Sequence, residues 1–258
     1  MSEKDHIKSI EKCFLVLDCL YSAGRLLTLD EIVQLTGYKK TTCFRLLKTM
    51  QNLGLIEPAP GTKTYQYGPR LISIGLLALK HMNLRNAALP ILERLRDETG
   101  ETVNLTILSG KEILYVERIM SDYLVNVNVN VGDRLPVYCA SMGKVILAFL
   151  SEKQLEKILP SITYTPKTNK TIVSADALRK ELDIIRANGF AVNDEELETG
   201  LRAVAAPVMN YKGEAFAAIN IAWTTSRRPE RSVFSEYSEK VVSAAKEISV
   251  LMGYQSKK

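Results

Sequence analysis

Thr28-Leu29-Asp30-Glu31, Thr36-Gly37 and Lys39-Lys40-Thr41-Thr42-Cys43-Phe44-Arg45-Leu46-Leu47-Lys48-Thr49-Met50 together spell two helices joined by a very tight turn. The first four residues are a capping box: the Thr28 hydroxyl accepts from the amide three residues on, and Glu31 reaches back. The short helix they open carries Ile32, Val33 and Leu35 inward and stops at Gly37. The helix after it, about 39–52, places Cys43, Leu46, Leu47 and Met50 on one face. Thr41, Thr42, Phe44, Arg45 and Lys48 fall on the other side, with Lys39 and Lys40 at its start. A helix that enters the major groove needs this division, with side chains for base edges at its start and cations for phosphates along its flank.

Upstream, Ile10, Cys13, Phe14, Leu17, Leu20 and Tyr21 recur at steps of three and four until Gly24 ends a first helix. Downstream, 55–57 and 64–67 read as two short strands around Pro58-Ala59-Pro60-Gly61, a hairpin with a rigid tip. Three helices followed by a hairpin make a winged helix-turn-helix. Arg45 can pair bidentately with guanine, worth about 1–3 kcal/mol of discrimination. Phe44 can touch a thymine methyl, Thr28 can meet a phosphate at a helix N-terminus, and Lys63 near the hairpin tip can follow the backbone or minor groove. A solvated cationic face accounts for Lys48 and Lys63 alone. It accounts poorly for a capped helix, a glycine turn, a basic helix and a hairpin in that order.

Charge supports the same division. Residues 1–85 carry twelve Lys and Arg against seven Asp and Glu, whereas the rest of the 258-residue chain holds 22 of each sign. A small basic module joined to a neutral one fits nucleic-acid contact by the first and another task for the second. The longest apolar run, Val145–Leu150, is far too short for a membrane span, and the charged start Met1–Lys8 is not a secretory leader. Four cysteines without CxxC spacing, and only His6 and His81 as imidazoles, argue for a reducing cytoplasm and against a disulfide scaffold or zinc ribbon.

Pro69 suits the first turn of a further helix, Arg70 to about Met82, whose Leu71, Ile72, Ile74, Leu76, Leu77 and Leu79 make it apolar on more than one face. Such a surface is expected to pack against a second copy of the chain. Beyond it, helices are expected near 86–99, 141–149, 151–159 and 174–188, with a last one starting near Pro229. That last helix should align Phe234, Tyr237, Val241, Ala244, Ile248 and Leu251. Strands are expected at 102–108, 112–118, 124–131, 190–194, 201–208 and 214–222. Six strands with hairpin turns and flanking helices suggest one mostly antiparallel sheet in an α+β sensor-like domain. The expected division is 1–69 for the winged helix, 70–84 for the linker helix and 85–258 for the sensor-like domain.

Ser9-Ile10-Glu11-Lys12, Thr36-Gly37 and the run Lys40–Met50 resemble the winged helix of the IclR family of bacterial transcription regulators. The likeness continues through Thr99-Gly100-Glu101-Thr102, Val131-Gly132-Asp133-Arg134-Leu135-Pro136, Ser141-Met142-Gly143-Lys144, Asp194-Glu195-Glu196, Gly200-Leu201-Arg202 and Ala217-Ala218-Ile219-Asn220. Tyr138–Gly143 and Asp194–Glu198 most resemble the subgroup that controls aromatic-acid catabolism through the β-ketoadipate pathway. The resemblance implies a GAF/profilin-like C-terminal domain that binds a small organic-acid effector. It also implies a homodimer or dimer of dimers on a double-stranded operator.

Carried over by position from family members that recognise organic acids, the pocket walls would be Leu124, Val127, Ser141, Met142, Asn193, Ala203, Asn220 and Ala222. Amides at the start of the Ser141 helix suit a carboxylate. The sequence departs from the glyoxylate- and pyruvate-responding members, which carry an acidic residue, a cysteine and two serines where Asn193, Ala203, Asn220 and Ala222 stand. That departure leaves room for a larger ligand, such as an aromatic carboxylate.

Other features have plainer readings. Asn126, Asn128 and Asn130 read as a solvated strand face, and Asp194, Glu195, Glu196 and Glu198 as loop capping and salt bridging. Cys139 reads as a buried structural thiol, since both imidazoles are far away in sequence. No catalytic residue, cofactor or metal is therefore expected. The rival readings are a thiol-dependent enzyme using Cys139 and a protein-interaction regulator that acts without DNA.

Overall fold

Thr28 caps its helix as its spacing to Glu31 requires, and the elements around it follow in the order that the sequence suggests. The computed structural model describes residues 7–123 and 129–255. The chain divides into two units, Met1–His81 and Met82–Lys258.

The first unit contains α1 (Lys8–Ala23), β1 (Leu27–Thr28), α2 (Leu29–Thr36), α3 (Lys40–Asn52), β2 (Ile56–Pro58), β3 (Thr64–Tyr67) and α4 (Pro69–Lys80). Its small sheet has three antiparallel strands in the order β1-β3-β2, one more than the hairpin expected. The extra strand is two residues long, pairing Leu27 with Tyr65 and Thr28 with Thr64, too short to leave a periodic signal. Val16, Leu20, Leu27, Ile32, Cys43, Leu47, Met50 and Ile56 form the core. Leu35 and much of the α1 stripe depart from expectation: Leu35, Ile10, Phe14 and Tyr21 are exposed. Helix α4 buries none of its residues, and Ile72, Ile74, Leu76 and Leu77 are each more than half exposed.

The second unit contains α5 (Asn83–Thr99), β4 (Thr102–Ser109), β5 (Glu112–Ile119), β6 (Arg134–Pro136), α6 (Ser141–Ala148), α7 (Glu152–Ile158) and α8 (Ala175–Asn188). It is completed by β7 (Ala191–Asp194), β8 (Leu201–Met209), β9 (Ala215–Thr224) and α9 (Val233–Leu251). The six strands form one sheet in the order β6-β5-β4-β9-β8-β7, and every pair is antiparallel. Side chains alternate across the sheet. Thr102, Asn104 and Thr106 therefore share the face where the Thr106 hydroxyl donates to Met142 Sδ of α6. Trp223 lies on the other face, its ring edge-on to Phe234 and Tyr237 of α9.

Two elements differ from the sequence expectation. The strand expected at 124–131 falls mostly on residues 124–128, outside the described residues, and 129–131 are not strand. Here the sixth strand is β6, three residues that pair with β5 through Glu112–Pro136, Ile113–Leu135 and Leu114–Arg134. A three-residue edge strand ending in proline has no alternation to betray it. Helix α9 begins at Val233 rather than near Pro229, and Leu251 is exposed, because burial follows Tyr237, Val241, Ala244, Ala245 and Ile248.

Gly143 explains how α6 reaches the sheet. A Cβ there would meet Val137 backbone atoms at 2.4 Å, so only glycine permits that approach. The next residue, Lys144, is wholly buried and donates to Glu196 at 2.5 Å and to Glu181 at 3.2 Å. Burial pushes the Glu196 carboxyl above its ordinary range even with Lys144 beside it.

Candidate functional site

On α3, Cys43, Leu47 and Met50 are buried and Leu46 is partly so, while Lys39, Lys40, Thr41, Phe44, Arg45 and Lys48 are exposed and Thr42 is half-buried. The inward hydrophobes fix the helix and leave its cationic face outward. At the entrance to α2, Glu31 accepts from the Thr28 amide at 2.7 Å and hydroxyl at 2.8 Å, while the Glu31 amide donates to the Thr28 hydroxyl. These bonds, with Arg25 at 2.8 Å, lower the Glu31 carboxyl to about 2. Asp30 holds Lys40 at 2.6 Å, so one cation of the exposed face is already turned toward the preceding helix. Lys63 is exposed in the turn between β2 and β3, where the Thr62 and Thr64 hydroxyls bond at 2.6 Å. An outward set of lysine, arginine, threonine and phenylalanine beside a stiff hairpin can contact phosphates and base edges.

The second unit holds a cavity of about 640 Å³, counting the space at its mouth, between the sheet and the start of α6. Ser141, Met142, Asn193, Ala203, Asn220 and Ala222 all line it. Of the pocket residues carried over by resemblance, Leu124 and Val127 lie outside the described residues. Ser141 and Met142 are buried at the first turn of α6, where helix amides have no partner within the helix. Asn220 of β9 sits opposite Asn104 of β4 and accepts from its amide at 2.8 Å. Asn193 is more engaged than a ligand-facing amide need be: its Nδ2 donates to the Cys139 carbonyl at 3.3 Å, and its Oδ1 accepts from the Glu196 amide at 2.9 Å. It fastens the loop after β7 to the segment that leads into α6.

Several lining residues escaped the sequence reading. Asn104, Tyr115, Arg118 and Arg227 border the cavity. Arg118 adds a half-buried cation, and burial lowers its guanidinium pKa somewhat. Arg227 is ion-paired with the buried carboxylate of Glu101, which also accepts from the Tyr237 hydroxyl at 3.2 Å, and it stacks 4.0 Å from the Tyr123 ring centre. Burial pushes the Tyr115 phenol far up, so its hydroxyl stays protonated. One signal was available: 102–107 alternates Thr, Asn, Thr against Val, Leu, Ile. Its polar face is an interior wall rather than a solvated one.

The acidic cluster ties the loops together, as expected. Asp194 pairs with Arg202 at 2.7 Å and Arg231 at 2.9 Å, Glu195 accepts from the Gly200 amide, and Glu196 holds Lys144. Burial alone would raise Asp194, but Arg202, Lys170 and Arg231 hold it below its ordinary range. Glu198 contributes its carbonyl to the Leu201 amide. Among the described residues, no three His, Cys, Asp or Glu side chains are grouped to hold a metal ion. Cys139 is buried, and burial pushes its thiol up to about 11, the opposite of an activated nucleophile.

A winged helix with an outward cationic face, followed by a sheet domain with a partly buried cavity of mixed polar and apolar lining, defines a ligand-responsive DNA-binding regulator. Comparison with known proteins gives the family. The IclR helix-turn-helix domain matches residues 9–60, and the C-terminal domain of the bacterial transcriptional regulator IclR matches residues 76–250. The chain belongs to the IclR family of DNA-binding transcriptional regulators, whose C-terminal domain binds an effector. It is 33% identical to the HTH-type transcriptional regulator XynR of Escherichia coli K12, over 96% of this chain and 98% of that one. It is 30% identical to the Pca regulon regulatory protein of Pseudomonas putida, over 87% and 77% respectively. The crystal structure of the Thermotoga maritima IclR matches with a TM-score of 0.71 at 29% identity, covering 96% of this chain and all of that one. No described helix is long and apolar enough to cross a membrane.

Proposed function

We propose that this chain is a cytoplasmic, non-enzymatic regulator that binds its operator as a homodimer or dimer of dimers and releases or grips it in response to a small organic acid. Residues 1–69 read the duplex, 70–84 link and dimerise, and 85–258 hold the effector. Thr28, Lys39, Lys40, Thr41, Thr42, Phe44, Arg45, Lys48 and Lys63 make the DNA contacts. Ser141, Met142, Ala203, Asn220 and Ala222 contact the acid, and Asn193 positions the loop beside it. The exposed apolar surface of α4 supports the dimer.

The observation that carries this reading is the cavity against the α6 N-terminus, with Arg118 on its wall: two sources of positive potential in a partly buried space. An aromatic carboxylate is the favoured class, supported by the residue forms at 138–143 and 194–198 and by the relative named for the Pca regulon. The effector needs a differential affinity for two quaternary states of about 1–3 kcal/mol to act as a switch.

Operator affinity measured against salt tests the DNA half. A log–log slope of about −4 or steeper per dimer is expected. A flat slope would move the protein to a role in protein interaction. A thermal-shift panel of aromatic and aliphatic acids tests the other half, with stabilisation reduced in Ser141→Ala. Stabilisation by sugars or amides alone would remove the acid.

A further inference from the structure

Among the described residues, Glu195 is the one non-glycine residue with a left-handed backbone, at a φ of 66°. That region is costly for any residue with a Cβ, and it persists only where the surroundings over-determine it. Four bonds do so here. The Glu195 amide donates to the Leu201 carbonyl at 2.9 Å, and its Oε2 accepts from the Gly200 amide at 2.9 Å, closing the turn on itself. The other two come from 162–173, the irregular stretch before α8. Thr168 Oγ1 donates to the Glu195 carbonyl at 2.7 Å, and Lys170 Nζ donates to Glu195 Oε1 at 2.8 Å while lying 3.5 Å from Asp194. Thr171 Oγ1 adds a bond to the Glu196 carbonyl at 2.7 Å. The stretch is a strap across the turn. Two residues beyond the strained position, Leu197 is partly buried and lines the cavity, as does the buried Ala203 of β8.

Resting on the reading of this cavity as a small-molecule site, we infer that Leu197 is its gate and that Thr168 and Lys170 are positioning residues that keep the gate shut. Lifting the strap leaves the left-handed residue without support, so the turn relaxes and carries Leu197 off the cavity wall. Strain released on opening offsets part of the bonding lost. The two opposed contributions bring the closed and open states close in free energy, as exchange of a ligand requires. The sheet and α6 need not unfold for a molecule to enter. Backbone strain of this kind collects at ligand clamps, and here it sits beside a cavity wall.

A reporter thiol in the cavity wall tests this on the full chain. Ala203→Cys places it there, a small thiosulfonate reagent labels it, and peptide mass spectrometry separates it from the four native cysteines. Labelling should be slow in Ala203→Cys alone and about tenfold faster when Lys170→Met is added, because local opening sets the rate. Lys170→Arg keeps the cation and should label as slowly as the parent. A lysine that merely stabilised the fold would leave labelling of the native protein unchanged. Thr168→Val removes the other bond and should speed labelling too, an independent check should Lys170→Met fail to fold by circular dichroism.

Equal rates in the parent and in both strap variants would overturn the inference, as would a parent labelled as fast as an unfolded chain. Lys170→Arg labelling as fast as Lys170→Met would overturn it as well. The acid panel fails separately. If no acid binds while labelling still follows Lys170, the gate stands and only its cargo changes. If an acid binds while labelling ignores Lys170, the gate falls and the acid remains.

Discussion

The two units place their polar groups in opposite settings. In the winged helix, the cations that matter lie on the surface, and its core of eight side chains contains no charge. In the effector unit, charge and amide lie inside: Lys144, Glu101, Asn104, Asn193, Arg202 and Asn220 are all buried. Surface charge costs little to keep and acts through screened fields, so it suits a partner as highly charged as DNA. Interior polarity is costly unless every group is matched, so it suits discrimination of a small molecule. Substitutions in the two units should therefore fail differently, by unfolding in one and by lost salt dependence in the other.

The largest effect should come from Lys144. Removing one partner of a buried ion pair leaves the other unmatched, typically at about 3–5 kcal/mol. Lys144→Met should lower the stability of the effector unit by about that much in urea unfolding, with Glu196 stranded beneath α6. Adding Glu196→Gln should recover part of the loss. If Lys144→Met melts like the wild type, interior charge does not hold this unit together.

How much of this was legible in the sequence follows the same divide. Capping residues, turn glycines and the 3.6-residue period act locally, so α2, α3 and the ends at Gly37, Gly100 and Gly189 could be read directly. Burial is not local. Phe14 and Leu35 carry helical apolar spacing and still face outward, because no described residue of their unit covers them. The cavity was half legible: Ser141, Met142, Asn193, Ala203, Asn220 and Ala222 came by resemblance and line it. Asn104, Arg118 and Arg227 come from strands and loops whose meeting depends on sheet order, and no spacing in the chain encodes that order.

On the surface unit the comparison predicts smaller and more selective losses. Arg45→Ala should weaken the preferred operator by about 1–3 kcal/mol and relax preference at one base pair. Lys48→Ala should weaken every sequence alike and reduce the salt slope by about one. Neither should move the thermal midpoint appreciably, since both side chains are exposed on α3. Anisotropy titrations with operator and scrambled duplex separate the two outcomes. A destabilised Arg45→Ala protein would mean that the surface of this unit is not independent of its core.

The smallest effect concerns Glu31, a half-buried acid whose bonds hold a helix cap. Its folded carboxyl is lowered to about 2 from an ordinary 4.5, chiefly by the Thr28 amide and hydroxyl and then by Arg25. A depressed acid stabilises the fold above its unfolded pKa, and that contribution drains away as pH falls toward the folded value. The capping box should thus be at full strength at pH 6 and weaken progressively between about 4.5 and 2. Carboxyl NMR titration of Glu31 should give a midpoint far below the ordinary 4.5, and Thr28→Ala should return it toward that value. A Glu31 midpoint near 4.5 in the wild type would mean the box is open in solution, and with it the entry geometry that aims α3.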